Sequence, residues 1–285
     1  MTDVAVVQLK PRKDARVRAG HPWVFSNEID GDVKSLPPGG VVDVIDSAGA
    51  FLGRGYANPA SLITVRILSR RRKEDLNHPA FYALRLREAL SLREAVYPGR
   101  QSLRLVYGEA DRLPGLVVDR YDDVLSVQIT TLGMESRKEQ LAEALQQVFA
   151  PRAAVLRNDA RVRDLEGLPR GRSAWFGDVP DVVAFDEGGL RFTTAPLGGQ
   201  KTGHFFDQFD NKRAAAPLCR GRSVLDVYSN TGGWALHALQ AGATDAMTVD
   251  SDEDNARRAA INAEANGFGD RLDSVCAEGR KTLIG

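Results

Sequence analysis

Apolar and polar positions alternate in short runs from roughly Val4 to Arg72. Val41-Val42-Asp43-Val44-Ile45-Asp46 has the period of a strand and ends at the turn signal Ser47-Ala48-Gly49. Phe51 to Tyr56 and Ile63 to Leu68 read as further strands, and Pro37-Pro38-Gly39-Gly40 as a loop. Repeated short strands with glycine turns predict a small β-barrel or sandwich over residues 1–75. The spacing then changes. Phe81, Leu84, Leu86, Leu90 and Leu92 recur at roughly helical intervals, predicting a helix over Pro79 to Glu94 that ends at Tyr97-Pro98-Gly99. This helix reads as a connector spanning 76–102.

Residues 103–196 alternate again. Leu116 to Tyr121 and Val124 to Ile129 read as a hairpin around Asp122-Asp123. Glu135 to Phe149 reads as a helix with Leu141, Ala144, Leu145 and Val148 on one face, stopped by Pro151. Strands over Ala154–Arg157 and Leu190–Thr194 complete a small ββαββ, α+β domain. From 197 to 285 the pattern is a helix over Phe205–Leu218, a buried strand over Ser223–Val227 and a helix over Trp234–Ala241. A strand over Met247–Val249, a helix over Asp252–Asn266 and a strand over Leu272–Cys276 follow. Such βαβαβ order predicts a parallel sheet of α/β, Rossmann-like type, with a nucleotide-type site at the carboxyl ends of its strands.

Candidate chemistry sits where the first of those strands ends. Val224-Leu225-Asp226-Val227 runs into Tyr228-Ser229-Asn230-Thr231-Gly232-Gly233 and then a helix. The glycines admit a ligand close to the backbone, and the helix N-terminus favours a carboxylate or another anion. Asp250 ends the second strand, where a carboxylate can accept both ribose hydroxyls, and Glu278 follows the third, where it could meet an adenine amine. Each acid has a structural alternative: a helix or loop cap for Asp226, a helix N-cap for Asp250. A ribose-binding acid also suits NAD, but the first loop lacks G-x-G-x-x-G. An acid beside the loop suits a cationic ligand such as S-adenosylmethionine, with its ammonium and sulfonium, better than a pyrophosphate.

Composition narrows the class. The chain has 285 residues, 43% apolar and 27% charged, with 38 basic against 38 acidic side chains. Neutrality excludes a uniformly basic nucleic-acid coat but not a local basic face. Two such runs exist: Arg70-Arg71-Arg72-Lys73, and Arg12, Lys13, Arg16 and Arg18 near His21 and Trp23. Both are candidate RNA-phosphate contacts, with a solvated linker as the alternative for the first. Trp23 reads as a barrel-core aromatic and His21 as a turn residue. The two cysteines, Cys219 and Cys276, form no framework, and no apolar run has the ~18 residues that span a bilayer. A cytoplasmic protein without membrane attachment or metal is expected.

Gly199-Gln200-Lys201-Thr202-Gly203-His204-Phe205-Phe206-Asp207-Gln208, then Asn211 and Arg213, then Asp226 to Gly233, resembles the large-subunit ribosomal RNA methyltransferases that make 5-methylcytosine. Gly20 to Phe25 and Gly53 to Pro59 are similar to that family's PUA segment, and Gly108 to Tyr121 to its middle-domain signature. The resemblance covers nearly the whole chain. It implies a PUA domain, a small α+β domain and a class I S-adenosylmethionine-dependent methyltransferase domain, with large-subunit ribosomal RNA as partner and a homodimer as a plausible assembly. It also implies roles. Asp226, Tyr228, Ser229, Asn230, Thr231, Gly232 and Gly233 would line the methionine end of the cofactor. Asp250 and Ser251 would hold its ribose, with Glu278 near the adenine. Gln200, Lys201, Thr202, Gly203, Phe206, Asp207, Gln208 and Arg213 would close over cofactor or target base, while the role of His204 stays open.

Methylating carbon 5 of cytosine needs a thiolate to add to the neighbouring ring carbon. The family carries that cysteine after the fourth and later strands, and nothing similar occurs here. Cys219 precedes the first strand, and Cys276 reads as a buried strand residue; neither suits the nucleophile. The catalytic residue is therefore unassigned. The expectation is a fragment or prematurely ended product, with Val224, Leu225 and Val227 on an uncovered edge. The rival expectation is an RNA- and cofactor-binding protein without transfer activity.

Overall fold

A computed structural model of the chain describes residues 4–198 and 203–282. The N-terminal sheet contains β1 (Ala5–Gln8), β2 (Trp23–Val24), β3 (Val41–Ile45), β4 (Phe51–Ala57) and β5 (Val65–Ser69), with α1 (Ala15–Arg18) between β1 and β2. Its order is β1-β3-β4-β5-β2, and only the β1–β3 pair is parallel. Val7, Val24, Val42, Val44 and Val65 form its core.

The helix read as a connector, α2 (Pro79–Val96), does more than link. Its Phe81, Tyr82 and Leu86 share one core with Leu105 and Val118 of the middle sheet and Leu141 and Leu145 of its helix. That sheet holds β6 (Leu103–Tyr107), β7 (Leu116–Tyr121), β8 (Val124–Ile129), β9 (Ala153–Asn158) and β10 (Gly171–Gly177), in the order β10-β9-β8-β7-β6. Helices α3 (Leu132–Glu135) and α4 (Lys138–Phe149) lie between β8 and β9. Tyr56 of β4 enters the same core and seats its ring on Gly133, where a Cβ would come within 1.9 Å of that ring.

Two strands here escape the sequence reading, β6 and β10. The one over Leu190–Thr194 is placed elsewhere: β11 (Val183–Glu187) and β12 (Leu190–Thr194) form a separate antiparallel hairpin. Phe185, Leu190 and Phe192 of the hairpin pack with Leu236, Leu239 and Ala263 of the C-terminal unit. The ββαββ expectation differs here: the hairpin pairs with itself rather than joining the middle sheet, and its apolar face packs against the C-terminal unit and against Tyr121 and Val124 of the middle sheet.

The C-terminal unit contains α5 (Phe209–Ala215), β13 (Ser223–Val227), α6 (Gly233–Gln240), β14 (Asp245–Asp250), α7 (Glu253–Ala265), β15 (Leu272–Cys276) and α8 (Gly279–Thr282). The three strands are parallel, in the order β13-β14-β15. β14 is central, so β13 is not the buried strand its composition suggests: Leu225 is 50% exposed. The same edge geometry applies to β15, and Cys276 is exposed rather than buried. Among the described residues no helix is long and apolar enough to cross a membrane.

Candidate functional site

β13 delivers the chain into a loop that must reverse direction to start α6. Two non-glycine residues adopt left-handed backbone there, Tyr228 (φ 62°) and Asn230 (φ 49°). Each such residue costs ~1–2 kcal/mol, so the loop needs outside restraint. Asn230 N–H donates to Asp250 Oδ2 at 2.8 Å and Ser229 N–H to Val249 O at 3.1 Å, fastening the loop to β14. From α7, Asn262 Nδ2 donates to Thr231 O at 3.1 Å. Gly232 (φ 80°) then begins α6, at a position where a Cβ would lie 3.2 Å from that of Ala259.

Asp226 lies beneath this turn. Its Oδ2 accepts the N–H of Ala235 at 3.2 Å, so the capping alternative is met by one oxygen. Burial pushes its carboxyl up to about 6; the Ala235 N–H opposes the rise and the charge of Asp250 adds to it. An acid held in this state is primed to take a cationic partner. Asp250 is not a helix cap. Asp252 fills that role, accepting from Asn255 N–H at 3.0 Å, while Asp250 Oδ1 accepts from Asp252 N–H at 3.0 Å. Ser251 and Glu278 are exposed beside the strand ends, and Gly279 touches the Tyr228 ring closely enough that a Cβ would come within 3.3 Å.

A cavity of about 260 Å³ opens over the loop, lined by His204, Phe205, Gln208, Lys212, Tyr228, Ser229, Asn230, Thr231, Gly233 and Trp234. Two of its buried polar atoms, Ser229 Oγ and Asn230 Oδ1, have no hydrogen-bond partner among the described residues. Buried polar groups are nearly always satisfied, so these mark a place where a polar ligand completes the bonding. The volume falls just under the ~300–1,000 Å³ of whole small-molecule pockets and suits one end of a ligand. The lining offers donors and acceptors for a polar ligand, with Asp226 beneath the loop rather than in the lining.

The segment before the sheet contributes selectively. Gln200, Lys201 and Thr202 lie outside the described residues. Gly203 is buried, and Phe206 packs against Tyr121 and Phe185. Gln208 lines the cavity, whereas Asp207 and Arg213 face solvent, with the Arg213 guanidinium stacked 5.5 Å from the Phe209 ring centre. The residue beside it, Lys212, points inward instead. The i, i+3, i+7 spacing of Phe209, Lys212 and Ala216, all buried, is the signal that would have found it.

Lys212 belongs to a buried charge cluster that motif reading missed. Its ammonium bonds Glu187 at the end of β11, and Glu187 Oε2 accepts from Arg100 Nη2 at 3.1 Å. His204 Nε2 lies 3.1 Å from Glu187 Oε1 and 3.3 Å from Lys212 Nζ, which makes His204, whose role the motif left open, a member of this cluster. Burial acts to raise the Glu187 carboxyl, but His204 and Lys212 outweigh it and hold it at about 2. Burial lowers both His204 and Lys212, and in each the Glu187 carboxylate opposes the fall.

The basic runs divide. Arg70 spends its guanidinium on the carbonyls of Leu52 (2.8 Å) and His21 (3.1 Å). Arg72 pairs with Asp43 at 3.4 Å and covers the Phe51 ring. Arg71, with an 83% exposed side chain, and the exposed Lys73 reach solvent. In the other cluster Arg12 and Lys13 are exposed, while Arg16 pairs with Glu28 at 3.2 Å. Trp23 is half-buried rather than in the barrel core, and its Nε1 donates to Glu109 Oε1 at 2.9 Å; His21 accepts from Trp23 N–H, as a turn residue does.

Comparisons agree with this architecture. Residues 7–70 match a PUA-like domain model. The chain is 36% identical over 266 residues to the ribosomal RNA large subunit methyltransferase I of Photobacterium profundum, covering 92% of this chain and 67% of that protein. It is 34% identical over 278 residues to the protein of the same name from Cronobacter sakazakii, covering 96% and 69%. The chain thus spans about two thirds of the length of these relatives. A solved structure from Streptococcus mutans, assigned to the SAM-dependent methyltransferases, superposes with a TM-score of 0.82 at 16% identity, over 99% of this chain and 73% of that one. A similarly assigned methyltransferase, complexed with SAH, also gives 0.82 at 16% identity, over 99% and 72%.

Proposed function

This chain belongs to the ribosomal RNA large subunit methyltransferase I family, and from that premise we propose that it serves S-adenosylmethionine-dependent methylation of large-subunit ribosomal RNA, as a cofactor-holding and RNA-docking unit. The observation that carries the reading is the cavity over Tyr228–Gly233, where Ser229 Oγ and Asn230 Oδ1 are buried without partners among the described residues. S-adenosylmethionine, when bound, supplies an electrophilic methyl group on a sulfonium. Asp226 takes the positive amino-acid end, and the loop donors fix its orientation. Asp250 has about one acceptor site, on Oδ2, beyond those its three protein donors occupy, which lets it accept from a ribose hydroxyl while holding the loop. Ser251 and Glu278 flank the nucleoside. Arg71, Lys73, Arg12 and Lys13 offer phosphate contacts from the PUA-like region. The acceptor implied by the family resemblance is carbon 5 of a cytosine.

The test has two stages. SAH is titrated calorimetrically into the chain, then tritium is followed from methyl-labelled S-adenosylmethionine into large-subunit ribosomal RNA. Saturable SAH binding supports the reading, and its absence sinks it. Binding without transfer favours the second reading, an RNA- and cofactor-binding protein that does not itself transfer the methyl group. NAD binding in place of SAH would restore the nicotinamide alternative.

A further inference from the structure

The cofactor cavity contains a buried cation that the proposed function has not used. Lys212 is 2% exposed, yet it lines the cavity beside Gly233 and Trp234. Its ammonium carries three N–H groups. One is bonded to Glu187 and a second is within reach of His204 Nε2, at 3.3 Å, which leaves at least one for a further acceptor. Glu187, fully buried, is shared with Arg100, so one carboxylate faces two basic groups. Burying a charge without full compensation is costly, and a site arranged this way favours an arriving anion.

Where that anion would sit is set by Gly233. A Cβ there would lie 3.4 Å from Lys212 Nζ and 3.7 Å from His204 Cε1, so the ammonium overhangs the first turn of α6. α6 has eight residues, and its opening N–H groups have no intrahelical acceptor. Ammonium and helix terminus therefore converge on one spot, with Ser229 Oγ and Asn230 Oδ1, unpartnered among the described residues, in the same cavity. Asp226, the acid of this site, accepts from Ala235 two residues along the same turn. Lys212 lines the cavity and Asp226 lies beneath its floor at the same helix turn, a cation and an acid on either side of the first turn of α6, as an α-amino acid requires.

We infer that Lys212, positioned by Glu187 from the β11–β12 hairpin, selects cofactors that carry a free carboxylate on their amino-acid end. This rests on the proposed cofactor reading and deepens it. Lys212 makes the contact; Glu187 acts only through Lys212 and is a positioning residue. Placing Glu187 on the hairpin and Arg100 after α2 ties carboxylate recognition to parts of the fold outside the methyltransferase sheet.

The experiment compares S-adenosylmethionine with decarboxylated S-adenosylmethionine, which keeps ammonium, sulfonium and adenosine. Calorimetric affinities are measured for the wild-type chain, Lys212→Gln and Gly233→Ala. The wild type is expected to prefer the carboxylated ligand by about tenfold to a hundredfold. Lys212→Gln should lose that preference by weakening only the carboxylated ligand. Gly233→Ala fills the spot with a methyl group at ordinary contact distance, in a helical position that favours alanine, and should reduce the preference in a folded protein. If Lys212→Gln does not fold, Lys212→Met fills the same space with an uncharged side chain, leaves Glu187 paired with Arg100 and should bind the two ligands equally. A wild type that binds both ligands equally, or variants that weaken both alike, would overturn the selection by Lys212 while leaving the cofactor reading standing. A wild type that binds neither would overturn both.

Discussion

The carboxyl of Asp250 accepts the amide proton of Asn230 at 2.8 Å, bridging the end of β14 to a left-handed residue of the loop after β13. That one bond links the residue expected to hold ribose to the loop expected to hold the methionine end. Asp250→Ala should therefore weaken SAH binding by more than loss of a ribose contact alone, by about 2–4 kcal/mol. Calorimetry measures the loss. An affinity within a factor of about two of wild type would remove Asp250 from both roles.

Asp226 gives a pH test with a definite sign. Its folded pKa of about 6 stands above the ordinary 3.8, so the fold favours the protonated acid. That contribution is fully present below about 3.8 and is lost as pH rises through about 6. Asp226→Asn should stabilise the ligand-free chain at pH well above 6, by about 1–2 kcal/mol once partial solvent access is counted, and give little gain at pH 4. The same change should weaken SAH binding, because the ligand's ammonium loses its counter-charge. Thermal melts across this range check the first claim and titration the second.

Glu187 has the opposite sign. Its carboxyl lies at about 2 against an ordinary 4.5, so its stabilisation is present above 4.5 and lost as pH falls towards about 2. Glu187→Gln leaves Lys212 and Arg100 buried without their anion and should cost about 3–5 kcal/mol near neutral pH. The variant's Tm should then fall less steeply than wild type between pH 4.5 and about 2. Parallel curves would mean that Glu187 is not the group titrating in that window.

The Arg70–Lys73 run should separate by substitution. Arg71→Ala combined with Lys73→Ala is expected to weaken RNA binding and flatten its salt dependence by about one to two units of log–log slope. Arg70→Ala should instead lower Tm, since its guanidinium ties β4 to the segment before β2 through Leu52 and His21 carbonyls. Filter binding over a salt series, with melts alongside, distinguishes them. An unchanged slope in the double variant would place RNA docking elsewhere.

Gly133→Ala tests the join between the PUA-like and middle units. The added methyl group would meet the Tyr56 ring at 1.9 Å, while Tyr56 Oη is held by Pro114 O at 2.7 Å and cannot swing aside freely. Overpacking of this kind costs about 1–3 kcal/mol, visible as a lower midpoint in denaturant. A wild-type midpoint would show that the seat can relax.

What the sequence by itself determined is local. Asp226, the Tyr228–Gly233 loop and Asp250 could be named because a strand-to-helix turn needs small and glycine residues at set offsets, and parallel βαβ order brings the strand ends together. Three of the five PUA-like strands, β3, β4 and β5, were legible through period-two alternation and glycine turns, whereas β1 and β2 were not. Tertiary structure alone decided the rest. Whether Lys212 or Arg213 faces the cavity depends on which side of α5 packs inward, and Glu187 meets Lys212 across 25 positions through a hairpin that leaves the middle sheet. Leu190 to Thr194 has the composition of any half-buried strand; its place is settled by pairing with β11 and by packing against α6, α7 and Tyr121. Burial likewise turns His204, Lys212, Arg100 and Glu187 from scattered polar residues into one charged cluster, because charge in a dry interior must find charge.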